Sequence, residues 1–292
     1  MKRLVPLLAL VLPGCTLLPV PAAVPTSLDL ASLDACGPPA PIPPSIIARV
    51  TAQFEEGRTA PPPDMTPEDI AAYRKMEADQ KSKDWPNVCR YRAANADLMK
   101  LPDSERRVVF MGDSITQNWA FADPVYFTHG TVNRGISGQT TPQMLARFRS
   151  DVIALRPRVV HILAGVNDIA GNTGPVTLDD IKGNLASMIE IAQANNVRVV
   201  LSTVLPAGSF SWSPDTKPAP AIDKLNAWIR TYAAEKRLVL ADYYPALALP
   251  DGSMRPEFSL DGVHPNKAGY RAMAPITDAA IKAALGPATL FR

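Results

Sequence analysis

"FMGDSITQNW", residues Phe110 to Trp119, is the stretch on which the fold turns. The apolar run Val108-Val109-Phe110-Met111 stops abruptly at Gly112, Asp113 and Ser114. A run without polar alternation fits a strand covered on both faces. A tight turn would explain the glycine and the aspartate. A nucleophile presented at the end of a strand would explain all three residues.

The same rhythm recurs downstream. "RVVHILAG" at 158–165, "VRVVLSTV" at 197–204 and "RLVLAD" at 237–242 are further apolar runs, and "GTVNRG" at 130–135 is a shorter one. Helical stretches are predicted at Thr141 to Asp151, Leu178 to Asn195, Ile222 to Lys236 and Asn266 to Leu285. Apolar strands alternating with helices imply a parallel sheet covered on both faces. The expected fold is therefore α/β, a five-stranded doubly wound sheet whose site lies at the carboxyl ends of its strands.

The N-terminal part is different. Met1-Lys2-Arg3 followed by apolar Leu4 to Leu12 reads as an export signal, and is too short to span a bilayer. It ends in Leu12-Pro13-Gly14-Cys15, which resembles a bacterial lipoprotein signal with Cys15 as the lipidated residue. The competing reading is ordinary cleavage after Ala22. Either way the protein is expected to be exported, as a periplasmic membrane-anchored lipoprotein or as a soluble periplasmic or secreted protein. With residues 1–14 removed, Lys2 and Arg3 go and the 28 acids balance the remaining bases, so nothing steers the chain toward nucleic acid. Of the three cysteines, Cys36 and Cys89 are then left as a pair that an oxidising periplasm can join. Two separate buried thiols are the alternative.

Residues 1–67 hold 14 of the 30 prolines, a density that disfavours helix interiors and sheet ladders. The expected organisation is a signal at 1–14, a Pro-rich tether and extension at 15–65, a helical lead-in at 66–106 and a catalytic domain at 107–292. Within the extension, Ser45 to Gly57 can form a short helix. The lead-in opens on Thr66 as N-cap, Pro67 at the first helical position, then Glu68 and Asp69.

Four polar blocks follow the apolar runs: Gly112-Asp113-Ser114; Arg134 to Thr141; Gly165-Val166-Asn167-Asp168; and Asp261-Gly262-Val263-His264 before the last helix. Acyl transfer needs a nucleophile, a base, a group that orients the base, and donors for an oxyanion. Ser114 can be the nucleophile and His264 the base. Asp261, three residues earlier, can hold the imidazole tautomer. Gly138 can offer an unobstructed backbone N–H, and Asn167 a side-chain amide.

The blocks FMGDSIT, NRGISGQTT, GVND and DGVHPNKAGY resemble those of the GDSL/SGNH hydrolases, over about Arg107 to Leu285. The resemblance implies a flavodoxin-like three-layer sandwich and ester hydrolysis with no cofactor and no metal. It implies Ser114 as nucleophile, with Asp261 supporting His264. It also implies an oxyanion hole made by the N–H groups of Ser114 and Gly138 and by the Asn167 amide. Asp113 is expected to support the turn.

The other histidines are expected to do other things. His161 lies in an apolar strand and reads as a satisfied core group, and His129 as a loop residue. Asp261 and His264 as metal ligands would need partners at ligand spacing, and no H-x-H, H-E-x-x-H or C-x-x-C occurs. Trp85, Tyr91 and Arg92 are read as packing the lead-in onto the catalytic domain, with a place in the site wall as the alternative.

The expected substrate is a short-chain acyl ester, acetyl above all, of a carbohydrate or similar polar alcohol. Trp119, Phe210 and Trp212 are the candidates to stack on a sugar ring, with core packing as the alternative for these aromatics, and Gln117, Asn118 and Gln139 to bond its hydroxyls. A lysophospholipase or arylesterase, an O-acetyltransferase with the same residues, and a non-catalytic binding lipoprotein are the alternatives. Oligomeric state is not readable from the sequence.

Overall fold

The computed structural model describes Cys36 and residues 43–58, 60, 62 and 65–286. Both signal readings, lipidation at Cys15 and cleavage after Ala22, lie outside the described residues. The chain divides into a unit at 1–37, of which only Cys36 is described, and a unit at 38–292. The described strands and helices all belong to the second unit.

Five strands form one parallel sheet: β1 (Val108–Gly112), β2 (Thr131–Gly135), β3 (Val159–Leu163), β4 (Arg198–Ser202) and β5 (Val239–Ala241). Their order is β2-β1-β3-β4-β5, that of a flavodoxin-like sheet. All residues of β1 and β3 are buried, which is why neither shows polar alternation.

The helices are α1 (Pro44–Ala52), α2 (Pro67–Lys83), α3 (Arg92–Leu98), α4 (Ser114–Ala122), α5 (Thr141–Asp151), α6 (Val166–Ile169), α7 (Leu178–Ala194), α8 (Ala219–Glu235), α9 (Tyr244–Leu247) and α10 (Lys267–Leu285). Helices α4 and α10 cover one face of the sheet; α5, α7 and α8 cover the other. The expected strands and helices all appear, with ends shifted by a few residues where caps decide. Helix α7 starts where the Thr177 hydroxyl accepts the Asp180 N–H and the Asp180 carboxylate accepts the Thr177 N–H. Helix α2 starts as its sequence implies, with Thr66 Oγ1 accepting the Asp69 N–H.

The lead-in is bound to the sheet domain by buried polar contacts. Asn95 donates to Asp151 Oδ1 at 2.8 Å and accepts from Arg134 Nε at 2.8 Å. The Tyr91 hydroxyl donates to the Gly135 carbonyl at 2.5 Å, and the Arg134 guanidinium lies 4.6 Å over the Tyr91 ring. The packing role expected for Tyr91 holds. On the opposite face, Phe54 is buried against Tyr270, and Glu56 bonds Arg271 through both oxygens at 3.0 Å.

Register sets up the site. Gly112 pairs with Gly135 on one side and Leu163 on the other, so three strands end level. The loops after β1, β2 and β3 therefore emerge side by side at the point where the strand order reverses. Gly112 is glycine because α4 turns back over the strand: a Cβ there would lie 2.0 Å from Thr116 Oγ1.

Candidate active site

Ser114 is the first residue of α4, directly after β1. Asp113 is the N-cap, and its Oδ1 accepts the Ile115 N–H at 2.9 Å. This is the turn-supporting place expected for Asp113. Its second oxygen has no hydrogen-bond partner among the described residues, and burial pushes the carboxyl up to about 7. The Ser114 side chain is left facing the loop before α10. Its Oγ lies 2.9 Å from His264 Nε2.

The other imidazole nitrogen, Nδ1, is 2.7 Å from Asp261 Oδ2. Asp261 is itself fixed. Its Oδ1 accepts the backbone N–H groups of Val263 at 2.9 Å and His264 at 2.8 Å, and the Ser259 hydroxyl at 3.1 Å. The three-residue spacing thus folds into a tight turn closed by its own carboxylate. Burial disfavours the charged imidazole, but the hydrogen bond and charge of Asp261 outweigh it and raise the His264 pKa. Burial also opposes the Asp261 charge, and the His264 bond overcomes that, holding its carboxyl well below the usual carboxylate range.

The proposed oxyanion donors lie in the adjacent loops. Gly138 has φ of 75°, a left-handed conformation that suits glycine. Neither its N–H nor that of Ser114 donates to another protein group among the described residues. Asn167 is buried in the first turn of α6, and its amide donates one N–H to the Gln139 carbonyl at 3.0 Å. The Gln117 side chain accepts the Ser137 N–H at 2.8 Å, tying α4 to the Gly138 loop.

Several candidates are placed elsewhere. Trp119 is 1% exposed and packs among Phe110, Tyr126 and Tyr270, so it is a core residue and not a sugar platform. Helix α4 turns that side chain toward the sheet, away from the cleft. Phe210 is also 1% exposed and supports Trp212 from beneath, with ring centroids 5.0 Å apart. Gln139 is buried with its side chain spent on the Pro86 carbonyl and on Arg147, so it is not a substrate contact; Asn118 is buried too. Of the three aromatic candidates, Trp212 is the exposed one, 43% accessible, with its ring 6.1 Å from the His264 ring.

His161 is a core group only half satisfied. Its Nε2 shares a hydrogen bond with the Tyr243 hydroxyl at 2.8 Å, while Nδ1 has no partner among the described residues. The ring stacks on Phe110, and burial brings its pKa down to about 3, so it stays neutral.

Four residues with structural influence on the site had no role assigned to them from the sequence, Asp168 included, although it closes the block Gly165-Val166-Asn167-Asp168. Asp168 is buried and accepts the Thr141 N–H at 3.0 Å, joining the loop after β3 to the start of α5. Arg147 is buried against Asp151 at 3.0 Å and donates to the Gln139 side chain at 2.6 Å and to the Gly112 carbonyl at 3.1 Å. Ser259 braces Asp261 and the His264 carbonyl. Asn172 contacts two of the three proposed oxyanion donor residues, Gly138 and Asn167. All four depend on contacts that only the folded chain creates.

Such an arrangement can pass a proton from a hydroxyl to an imidazole and hold negative charge on an adjacent oxygen. Residues 110–272 match the GDSL-like lipase/acylhydrolase family, which is more than half of the 292-residue chain. The chain is 45% identical to a GDSL-like lipase of known structure from Bacteroides thetaiotaomicron VPI-5482, with a TM-score of 0.65, covering 68% of this chain and 100% of that one. It is 26% identical over 151 residues to an acetylxylan esterase from Geobacillus stearothermophilus, which is 49% of this chain and 68% of that protein. Over 78 residues it is 33% identical to the uncharacterized lipoprotein YqeF of Bacillus subtilis (strain 168), 26% of this chain and 32% of that one. The chain belongs to the GDSL-like lipase/acylhydrolase family and is a carboxylic ester hydrolase.

Proposed function

We propose that this esterase removes short acyl groups, acetyl above all, from a carbohydrate or similar polar alcohol through an acyl-enzyme on Ser114. The observation that carries the reading is the relay from Ser114 Oγ to His264 Nε2 at 2.9 Å and from His264 Nδ1 to Asp261 at 2.7 Å. His264 takes the Ser114 proton as Oγ attacks the ester carbonyl carbon. The carbonyl oxygen becomes an oxyanion facing the N–H groups of Ser114 and Gly138 and the second N–H of Asn167. His264 then protonates the alcohol oxygen as its bond to carbon breaks. Water, deprotonated by His264, attacks the acyl-enzyme; the acid leaves and Ser114 recovers its proton.

The sugar-ester side of the reading rests on Trp212. Its exposed face borders His264, where the departing alcohol must sit, and a flat indole suits a sugar ring. The likeness to an acetylxylan esterase supports the same choice. In this reading the catalytic domain spans 107–292, and the lead-in at 66–106 braces the loop after β2. A lipid on Cys15 would hold the enzyme at a membrane surface, a reading supported by the likeness to a protein named as a lipoprotein.

The test compares kcat/KM for p-nitrophenyl acetate, butyrate and decanoate, then measures acetate released from acetylated xylan and other acetylated glycans. Acetate should be the best aryl ester, with release from at least one glycan. A clear preference for decanoate with no glycan deacetylation would overturn the short-acyl sugar-ester reading. Acid release that requires an added sugar acceptor would assign an O-acetyltransferase instead.

A further inference from the structure

Asn172 lies just beyond α6, five residues after Asn167, and its backbone N–H donates to the Asn167 carbonyl at 3.0 Å. The side chain makes three contacts, each to a different part of the cleft. One amide N–H bond goes to the Gly138 carbonyl at 3.1 Å and the other to Asn167 Oδ1 at 2.9 Å. The carbonyl oxygen, Oδ1, accepts the Trp212 indole N–H at 3.1 Å. A primary amide has two N–H donors, so both are committed.

These contacts constrain the donors indirectly. Asn167 can present its amide in either of two flipped orientations, and only one puts N–H groups toward the substrate. The Asn172 donor requires Asn167 Oδ1 on its own side, and the Gln139 carbonyl takes one Asn167 N–H. The remaining N–H is therefore aimed in one direction. The same Asn172 amide grips the carbonyl of Gly138, which anchors the 138–139 peptide and so restrains the Gly138 backbone torsions, held in the left-handed region, that aim the N–H of the preceding peptide. Preorganised donors stabilise an oxyanion because they need not reorient as charge develops.

We infer that Asn172 is a positioning residue that fixes both the Gly138 and Asn167 oxyanion donors and couples them to the Trp212 rim. The inference rests on the proposed serine-esterase reading. It makes the indole more than a flat surface, because its N–H completes the hydrogen bonding of the amide that sets the donors.

The test uses the purified full chain with p-nitrophenyl acetate, and phenylboronic acid as a tetrahedral mimic. Asn172→Asp keeps the side-chain shape and the oxygen facing Trp212 but removes both N–H donors; Asn172→Ala removes the whole amide. Each should lower kcat about 10- to 100-fold, approaching the loss of one oxyanion donor. For the uncharged Asn172→Ala, KM should stay within about threefold, the pH at the acidic limb should not move, and the boronate inhibition constant should rise in parallel with the kcat loss. Trp212→Phe, which keeps the face and removes the N–H, should lower kcat severalfold. Its effect should not multiply with that of Asn172→Ala, because both act through one amide.

A merely structural role would lower the melting temperature and leave kcat and boronate binding of the folded fraction unchanged. If folded Asn172→Asp and Asn172→Ala both keep kcat within about threefold of wild type, the inference is wrong. Should Asn172→Ala fail to fold, Asn172→Ser, which is uncharged and likewise cannot reach both acceptors, decides by the same threefold criterion. Wild-type activity in Ser114→Ala would instead overturn the underlying esterase reading, whatever the Asn172 variants do.

Discussion

Trp212 stands beside His264 with ring centroids 6.1 Å apart and planes tilted by 37°, backed by Phe210 and exposed on its outer face. The stacked pair presents a rigid aromatic wall next to the imidazole. Such a face contributes about 0.5–1.5 kcal/mol when it stacks on a flat partner. Trp212→Ala should therefore raise KM for an acetylated xylo-oligosaccharide about threefold to tenfold. The KM for p-nitrophenyl acetate should change less, and Trp212→Phe should keep most of the glycan affinity. Equal KM changes for both substrates would remove the sugar-platform role.

Substitution of the proposed relay gives graded losses. Ser114→Ala and His264→Ala should each abolish nearly all hydrolysis of p-nitrophenyl acetate without unfolding the protein, as judged by circular dichroism. Asn167→Ala should cost about 100-fold or more in kcat, the scale of one oxyanion donor. Ser259→Ala removes a brace on Asp261 and should cost far less, because two backbone N–H groups still hold that carboxylate.

The pH dependence comes from the raised His264 pKa. A base must be neutral to accept the Ser114 proton, so activity falls as pH drops through the folded value, which lies above 6.5. Asp261→Asn removes the partner that favours the imidazolium and should shift the acidic limb of kcat/KM to lower pH while reducing its height. Stability has the opposite sign. The contribution of the His264–Asp261 pair is complete below about 6.5 and is lost as pH rises through the raised value. An acidic limb that stays in place in Asp261→Asn would show that another group controls it.

Arg147 and Asp151 form a fully buried ion pair, with both side chains at 0% exposure. Removing one partner strands the other charge, at a cost of about 3–5 kcal/mol. Asp151→Ala should lower the midpoint of urea unfolding accordingly. Arg147 also holds Gln139 and the end of β1, so Arg147→Met, which removes one charge of the pair and those hydrogen bonds, should reduce kcat as well. An unchanged unfolding midpoint in Asp151→Ala would refute the stability argument.

Cys36 and Cys89 are each disulfide-bonded. Their joining in one 36–89 bridge is proposed, and non-reduced peptide mapping of exported protein should find the linked pair. Closing a loop of that length stabilises by about 4 kcal/mol in the chain-entropy description. Two alkylatable thiols in the native protein would exclude it.

The layered α/β architecture is legible in the amino-acid order, because strands buried on both faces must be continuously apolar and helices must alternate with them. "VVFMG" and "VVHIL" carry that information locally. It also brought out Ser114, Gly138, Asn167, Asp261 and His264 as candidates, since polar residues that follow such strands collect at one edge of the sheet. What it left open depended on the direction of side chains and on partners distant along the chain. Trp119 and Trp212 are alike as letters, yet helix rotation buries the first against Phe110 and a loop leaves the second at the cleft. Asn172 and Arg147 sit in ordinary local contexts. They matter because folding brings Gly138, Asn167 and Trp212 to one amide, and Gly112, Gln139 and Asp151 to one guanidinium. Hydrogen bonds between loops of different strands have no sequence period, so they come into view when the chain is folded and distant loops meet.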